Sequence, residues 1–159
     1  MGNTMKARLL AATIALAVSP LLAADVSAQG RGMTGEEAMA VLRALELSPD
    51  LQVDAVGDPR IQFEIGGLAA FLNFYDCKAG RCGSLQLETA LDLEHGTTLQ
   101  QANAFNSRYR YVRLHLDDEM DPYLQYDFEV LHADHAAHLR SQVEIFGQLL
   151  GGFTDAMDF

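Results

Sequence analysis

The sequence predicts an α+β fold in which about five antiparallel strands form one sheet with flanking helices. Several runs alternate apolar and polar residues, as strands with one buried face do. Other runs repeat apolar residues at helical spacing. Short connections join the alternating runs and favour antiparallel pairing over a parallel sheet. The predicted order is α-β-β-β-α-β-β-α.

The first 28 residues are typical of a secretory signal peptide. Lys6 and Arg8 precede an apolar run over residues 9–18, and small residues ending at Ala28 follow. A membrane span needs about 20 apolar residues, and this run is shorter. We expect cleavage after Ala28, with Ala24 as the second choice and an uncleaved anchor as the alternative. The product would be a single domain over residues 29–159, periplasmic or secreted, with no stable membrane anchor.

The charge of the chain disfavours two classes of partner. The chain has 11 Lys and Arg against 22 Asp and Glu, a formal charge of −11. Cleavage after Ala28 would remove Lys6, Arg8 and Asp25, which leaves 9 basic and 21 acidic residues and a charge of −12. Such a field repels nucleic acids and anionic membranes, so we expect neither as a partner. The charge could serve solubility alone or attract a basic partner.

A helix and a set of strands open the predicted domain. Thr34 and Glu37 have the spacing of a capping box, and the helix that follows should end near Leu47. Residues 51–56 could form a short strand. Three stronger alternating runs come next, "IQFEI", "LAAFLNFY" and "SLQLETALDL".

A second helix, one more hairpin and a last helix complete the domain. The helix covers residues 99–106, and the runs "YRYVRLHL" and "YLQYDFEVL" form the hairpin around the acidic turn "DDEMD". Asp134 is a suitable N-cap for the last helix, which Gly151 and Gly152 should end. The core of the domain is expected over residues 34–153.

Cys77 and Cys82 are the two cysteines of the chain, and their spacing fits a hairpin with residues 78–81 as its loop. The register that opposes them also sets apolar residues against one another: Phe74 with Leu85, Leu72 with Leu87. A slip of one residue would put the two apolar sets on opposite faces. Export supplies an oxidising environment, so we predict a disulfide. A redox couple would more usually read Cys-x-x-Cys, and a zinc site would need further ligands.

The outward faces of the two hairpins form a candidate partner surface. In the first hairpin this face carries Asn73, Tyr75, Gln86 and Glu88. In the second, we pair Leu114 with Leu124 and Val112 with Tyr126. That pairing turns the following residues outward: Tyr109, Tyr111, Arg113, His115, Tyr123, Gln125, Asp127 and Glu129. A sheet face rich in Tyr and Arg has the composition of a contact surface, although such residues could also merely cover strands or lie under a helix.

The segment "HADHAAH" groups His132, Asp134, His135 and His138 within two helical turns. These residues are candidate metal ligands, but Asp134 serves better as a helix cap. We expect His135 and His138 to be solvated, and we expect no metal and no cofactor. The chain has no Gly-x-Ser-x-Gly, phosphate-loop or His-Glu-x-x-His signature, so we predict no catalytic residues and no enzyme.

The stretch "TTLQQANAFNSRYRYVRLHLDDEMDPYLQYDFEVL" resembles the middle of the YbjN domain family, also labelled bacterial sensory transduction regulators. In that family an Asn-x-Trp-Asn helix leads into an arginine-bearing hairpin. Asn103 and Asn106 match its asparagines, Phe105 takes the tryptophan place, and Arg110 or Arg113 the basic position. "FEIGGLAAFLNFYDCKAGRCGSLQL" is similar to secreted members, which carry a hairpin bounded by cysteines.

The resemblance covers roughly residues 34–153 and implies a fold similar to type III secretion chaperones, often homodimeric, without recognised catalytic residues. We therefore expect a non-catalytic periplasmic or secreted protein-binding module, chaperone-like or regulatory, that forms a homodimer. The alternative is a periplasmic metal- or small-ligand-binding protein that uses the segment from His132 to His138.

Overall fold

The fold is α+β, as predicted, in a computed structural model that describes residues 32–130 and 134–159. The predicted signal peptide and His132 lie outside the described residues. The elements are α1 (Gly35–Ala44), β1 (Asp50–Val53), β2 (Pro59–Ile65), β3 (Leu68–Lys78), β4 (Arg81–Ala90), α2 (Leu99–Arg108), β5 (Arg113–Leu116), β6 (Pro122–Glu129) and α3 (His135–Met157). Four strands rather than three precede α2, because the short segment around Leu51 pairs with β2.

The six strands of the described residues form one antiparallel sheet in the order β1-β2-β3-β4-β6-β5. The predicted register of the first hairpin is confirmed, from Cys77 opposite Cys82 to Ala70 opposite Thr89. In the second hairpin Leu114 opposes Leu124, also as predicted. Val112 lies before β5, so the predicted pair with Tyr126 is not part of the ladder.

The helices cover one face of the sheet and bury the core there. Core side chains come from every helix and from the inward positions of the strands, among them Phe74, Leu87, Leu124, Phe105 and Phe146. None of the helices within the described ranges is long and apolar enough to cross a membrane.

The predicted end of the last helix at Gly151 and Gly152 is wrong, because α3 continues to Met157. Phe153 and Met157 extend the buried stripe of α3, and their burial outweighs the low helix propensity of the two glycines. Gly152 also has a packing role. A Cβ atom at this position would lie 2.5 Å from the hydroxyl oxygen of Tyr109, so any side chain here would displace the Tyr109 ring.

The helices α1 and α3 begin at the N-caps that the sequence predicts. The backbone N–H of Glu37 donates to Oγ1 of Thr34 at 3.2 Å, and the N–H of Thr34 donates to Oε2 of Glu37 at 3.0 Å. Asp134 accepts from the N–H of Ala137 at 3.0 Å and caps α3. The first helix ends at Ala44, slightly earlier than predicted, because Glu46 adopts a left-handed φ of 63°.

Cys77 and Cys82 form a disulfide at the end of the first hairpin, with sulfur atoms 2.08 Å apart. The N–H and C=O of Cys82 bond to Met33, so Cys77 and Cys82 are a non-hydrogen-bonded pair. Their Cα atoms are 3.9 Å apart, closer than the roughly 4.5 Å typical of such pairs. The turn is shorter than the predicted loop. It consists of Ala79 and Gly80, both with positive φ, as a two-residue hairpin turn requires.

The first residues of the described chain bind to the same end of the first hairpin. Met33 and Cys82 exchange two backbone hydrogen bonds of 2.9 Å. Arg81 donates to the carbonyl of Gly32 at 2.8 Å and to Oε2 of Glu37 at 2.9 Å. The N-terminal segment and α1 are therefore joined to β4 by both backbone and side-chain contacts.

Candidate functional site on the open sheet face

The face of the sheet opposite the three helices is uncovered in the described part of the chain. We call this surface the open sheet face. It carries the side chains of Arg60, Gln62, Phe71, Asn73, Tyr75, Gln86, Glu88, Arg113, His115, Tyr123, Gln125 and Asp127. These residues come from five neighbouring strands, so local sequence alone could not place them all together.

Gln86 is the centre of the open sheet face. Its amide Nε2 donates to Oδ1 of Asp127 at 2.7 Å, and its Oε1 accepts from the hydroxyl of Tyr75 at 3.3 Å and from Nδ2 of Asn73 at 3.4 Å. Only 5% of Gln86 is exposed although no helix covers it in the described residues. Neighbouring side chains therefore bury this amide and fix its orientation.

A second row of hydrogen bonds crosses the same face. Nε2 of Gln125 donates to Oε2 of Glu88 at 2.5 Å, and Arg113 donates from Nε to Oε1 of Gln125 at 3.2 Å. The guanidinium of Arg113 also lies 3.7 Å from a carboxylate oxygen of Asp127. The two rows connect the polar side chains of β3, β4, β5 and β6 into one network.

A groove with a volume of about 540 Å³ runs along this network. The turn between β1 and β2 forms one wall, where Oδ1 of Asp54 accepts three backbone N–H groups, each at 2.9 Å. Arg60 lies beside the floor, and its guanidinium carbon is 3.7 Å from the ring centroid of Phe71. Arg113, Gln125 and Glu88 line the groove further along.

Tyr75 stands in the groove in a negative field. Burial raises the pKa of the Tyr75 hydroxyl, and the carboxylates of Glu88, Asp127 and Asp54 raise it further, against an opposing effect of Arg60. The residue is nevertheless 45% exposed. The ring is therefore accessible to a partner, and its surroundings favour positive over negative charge.

Most of the residues predicted for a partner surface share this face. Asn73, Tyr75, Gln86, Glu88 and Arg113 line the groove. His115 and Tyr123 lie beyond it, with stacked rings whose centroids are 5.2 Å apart. Their role in binding stays a prediction.

The predicted outward position is wrong for Tyr109 and Tyr111. Tyr109 ends α2 and stacks on Phe105, with ring centroids 4.4 Å apart, so it belongs to the core side. Tyr111 has a φ of 73°, which interrupts the strand alternation. Its ring lies 6.1 Å from that of Tyr126, a buried residue that donates to Gln142 of α3.

The sequence reasoning missed Asp54 and Arg60 as groove residues. A usable signal was present in the glycine pair at residues 66–67, which sets the register of β2 against β3 and places Arg60 opposite Asn73. The wall formed by Asp54 depends on the short strand β1. That strand was predicted only as a possibility, so its turn could not be positioned from the sequence.

The histidine segment is arranged differently from the expectation. His135 is 3% exposed, and its Nδ1 has no hydrogen-bond partner among the described residues. His138 is half-buried, with Nδ1 3.4 Å from Nε2 of Gln142 and its ring 5.8 Å from that of Phe128. Both were expected to be solvated. They are covered because α1 packs against α3 and because Phe128 faces α3.

A cavity of about 490 Å³ lies between α1 and α3 beside this segment, lined by His135, Asp134, Glu37 and Arg140 among others. Within residues 32–130 and 134–159 no group of three or more His, Cys, Asp or Glu side chains could hold a metal ion. His132 is outside these ranges.

The asparagine motif of α2 has a structural role in this chain. Asn106 pairs with the backbone of Leu114 as a neighbouring strand would, donating from Nδ2 at 2.9 Å and accepting at Oδ1 at 2.8 Å. Phe105 is 2% exposed and packs edge-on against Phe153. Asn103 is exposed. The motif therefore docks α2 on β5 and α3 and does not contribute to the open sheet face.

The model of the YbjN family, described as "Putative bacterial sensory transduction regulator", matches residues 36–159. No curated protein matches the chain.

Proposed function

Because this chain belongs to the YbjN family, we propose that it is a non-catalytic protein-binding module, chaperone-like or regulatory, that binds a partner protein through the open sheet face. We place its action in the periplasm or outside the cell, as the predicted signal peptide implies. The homodimer that the family resemblance implies is part of this proposal. The family description as a regulator supports a binding role over catalysis.

The observation that carries the proposal is the buried amide of Gln86 on an uncovered sheet face. A polar group is buried at low cost only where it is hydrogen-bonded, and both the Nε2 and the Oε1 of Gln86 bond to neighbouring side chains. The result is a surface whose polar groups are already oriented. Binding to an oriented surface loses less side-chain entropy than binding to a mobile one, which favours recognition.

The chemistry of the face also suits a protein partner. Tyr and Arg are enriched in the energetically important parts of protein interfaces, and both occur here beside amide groups that can donate and accept. The exposed ring of Tyr75 and the stacked pair of His115 and Tyr123 offer two aromatic contact points on one surface.

Affinity capture from a periplasmic extract tests the proposal with three baits. The first is the unmodified protein. The second carries Tyr75→Ala and His115→Ala on the open sheet face. The third carries Ser141→Ala and Gln148→Ala, at two exposed positions of α3 on the opposite side of the molecule. We expect a protein that the first and third baits retain and the second does not. Capture of no specific protein, or equal capture by all three baits, would contradict the proposal.

A second candidate function is favoured by the cavity between α1 and α3. This cavity contains His135, whose buried Nδ1 has no partner in the described ranges, so a small ligand or metal ion at the histidine segment is the competing proposal. Zinc titration by calorimetry separates the two. Stoichiometric binding of zinc that is lost in a His135→Ala, His138→Ala double variant would replace the leading proposal.

A further inference from the structure

We infer that the groove of the open sheet face binds a basic side chain, lysine or arginine, carried by an extended segment of the partner protein. This inference rests on the proposed function of the same face and names the chemistry of the partner. Three features of the groove support it: carboxylates without counter-ions, an accessible aromatic ring, and an open shape.

The carboxylates of the groove lack cationic partners in the described part of the chain. Glu88 accepts a hydrogen bond from the neutral amide of Gln125, and Asp54 accepts from backbone N–H groups of its own turn. Neither is in an ion pair with a described residue, whereas Arg113 is paired with Asp127. Arg60 and Arg113 line the same groove, but neither forms an ion pair with these two carboxylates. A partner cation could therefore pair with them directly, and charge-assisted hydrogen bonds are stronger than neutral ones.

Arg113 is engaged by neighbouring polar groups, whereas Arg60 contacts an aromatic ring and its buried Nε has no hydrogen-bond partner among the described residues. Arg60 lies over the ring of Phe71, and Arg113 donates to Gln125 and lies beside Asp127. The pKa of the Tyr75 hydroxyl is raised first by burial and then by Glu88, Asp127 and Asp54, whose combined effect exceeds the opposing effect of Arg60.

Tyr75 supplies a second attraction for a cation. The face of an aromatic ring attracts an ammonium or guanidinium group, and Tyr75 is 45% exposed within the groove. The groove volume of about 540 Å³ is in the range, roughly 300 to 1,000 Å³, of sites that enclose a ligand of several groups. One long basic side chain therefore fits with part of its own main chain.

The shape of the groove and the charge of the chain favour a polypeptide over a free cation. The groove lies on an open face beside the His115 and Tyr123 pair, so a segment that enters it can continue along the sheet. The formal charge of −11 attracts a basic segment over a distance and accelerates its association.

The test compares three labelled decapeptides by fluorescence anisotropy with protein produced from the full chain. The peptides share one background of Ala, Gly and Ser and carry lysine, glutamine or glutamate at the same alternate positions. We expect the lysine peptide to bind about tenfold more tightly than the glutamine peptide, and the glutamate peptide to bind most weakly.

Two matched variants locate the effect. Glu88→Gln removes a groove carboxylate, whereas Glu64→Gln removes an exposed carboxylate of the same sheet that does not line the groove. We expect Glu88→Gln to weaken binding of the lysine peptide about fivefold and Glu64→Gln to change it less than about twofold. Tyr75→Leu should weaken the same peptide by about twofold to fivefold.

Four outcomes would overturn the inference. Equal binding of the lysine and glutamine peptides would remove the charge preference. Equal weakening by Glu88→Gln and Glu64→Gln would show that the preference depends on the overall charge of the protein and not on the groove. Unchanged binding of the lysine peptide by Tyr75→Leu would show that the Tyr75 ring does not contact the cation. Binding of Nα-acetyl-lysine amide as tight as that of the lysine peptide would make the groove a site for free cations. If the baits capture a partner while the peptides show no preference, this inference fails and the proposed function stands.

Discussion

Gln86 of β4 donates a hydrogen bond of 2.7 Å to Asp127 of β6, and this bond between residues 41 positions apart in sequence links the two hairpins. The same amide accepts from Tyr75 and Asn73 of β3. One buried side chain therefore connects three strands on the open sheet face. The position of the candidate partner surface depends on this link.

The first prediction concerns the stability that this link supplies. Replacing Gln86 by alanine should lower the free energy of unfolding by about 1 to 2 kcal/mol, because it removes hydrogen bonds and leaves Asp127 to be solvated. Urea denaturation measures the change. Gln62→Ala, on the same face but exposed, is the matched control and should change stability by less than about 0.5 kcal/mol. Equal losses for the two variants would refute a special role of Gln86.

The second prediction concerns the electrostatic field at Tyr75. Removing the negative charge of Glu88 stabilises the ionised phenol, so Glu88→Gln should lower the pKa of Tyr75 toward its ordinary value. Titration of the tyrosine ring carbons by NMR measures this pKa. The Glu64→Gln variant should leave the pKa of Tyr75 unchanged. A Tyr75 pKa that does not respond to Glu88→Gln would mean that burial alone determines it.

The third prediction separates the two asparagines of α2. Asn106→Ala should destabilise the protein by about 2 kcal/mol, because the backbone N–H and C=O of Leu114 both lose their side-chain partner. Asn103 is exposed and its side chain makes no hydrogen bond to the described residues, so Asn103→Ala should have a small effect. Chemical denaturation of both variants tests the difference. A larger loss for Asn103→Ala would contradict a docking role for Asn106.

The fourth prediction concerns acid stability at the contact between α1 and the first hairpin. Burial acts to raise the pKa of Glu37, but the N–H of Thr34 and the guanidinium of Arg81 outweigh it, so the pKa in the folded protein lies below the ordinary value. A carboxyl with a lowered pKa stabilises the fold at neutral pH, and this contribution disappears as the pH falls through the folded-state pKa.

Thermal denaturation of the wild type and of Glu37→Gln across this pH range measures that contribution. The wild type should have the higher melting temperature at neutral pH, and the difference should shrink on acidification. Glu36→Gln is a suitable control, since Glu36 is an exposed residue of the same helical turn. A difference between wild type and Glu37→Gln that stays constant down to acidic pH would exclude the proposed linkage.

The hairpins could be predicted from the sequence because their register depends on local alternation. One register places Leu72 opposite Leu87 on the core side and Tyr75 opposite Ser84 on the other, and a slip of one residue would put the two apolar sets on opposite faces. The disulfide and the two helix caps follow from equally local patterns. The open sheet face could therefore be predicted in two halves, one for each hairpin.

The assembly of the halves could not be predicted, because it depends on the pairing of β4 with β6. The sequence gives no local signal for that pairing, so the contact between Gln86 and Asp127 was not anticipated. Local rules also failed where tertiary packing opposes them. Because Phe153 is buried, α3 continues past Gly151 and Gly152 instead of ending there. The left-handed backbone conformation of Tyr111 turns its ring away from the predicted face.

Site-specific photo-crosslinking in cells tests the central claim most directly. The crosslinking amino acid p-benzoylphenylalanine replaces Tyr75 on the open sheet face in one variant and Gln148, an exposed residue of α3, in a second. Both variants are expressed in cells from the full chain and irradiated under identical conditions. The proposed function predicts a crosslinked partner protein from position 75 and none from position 148. A crosslink from position 148 alone, or from neither position, would contradict it.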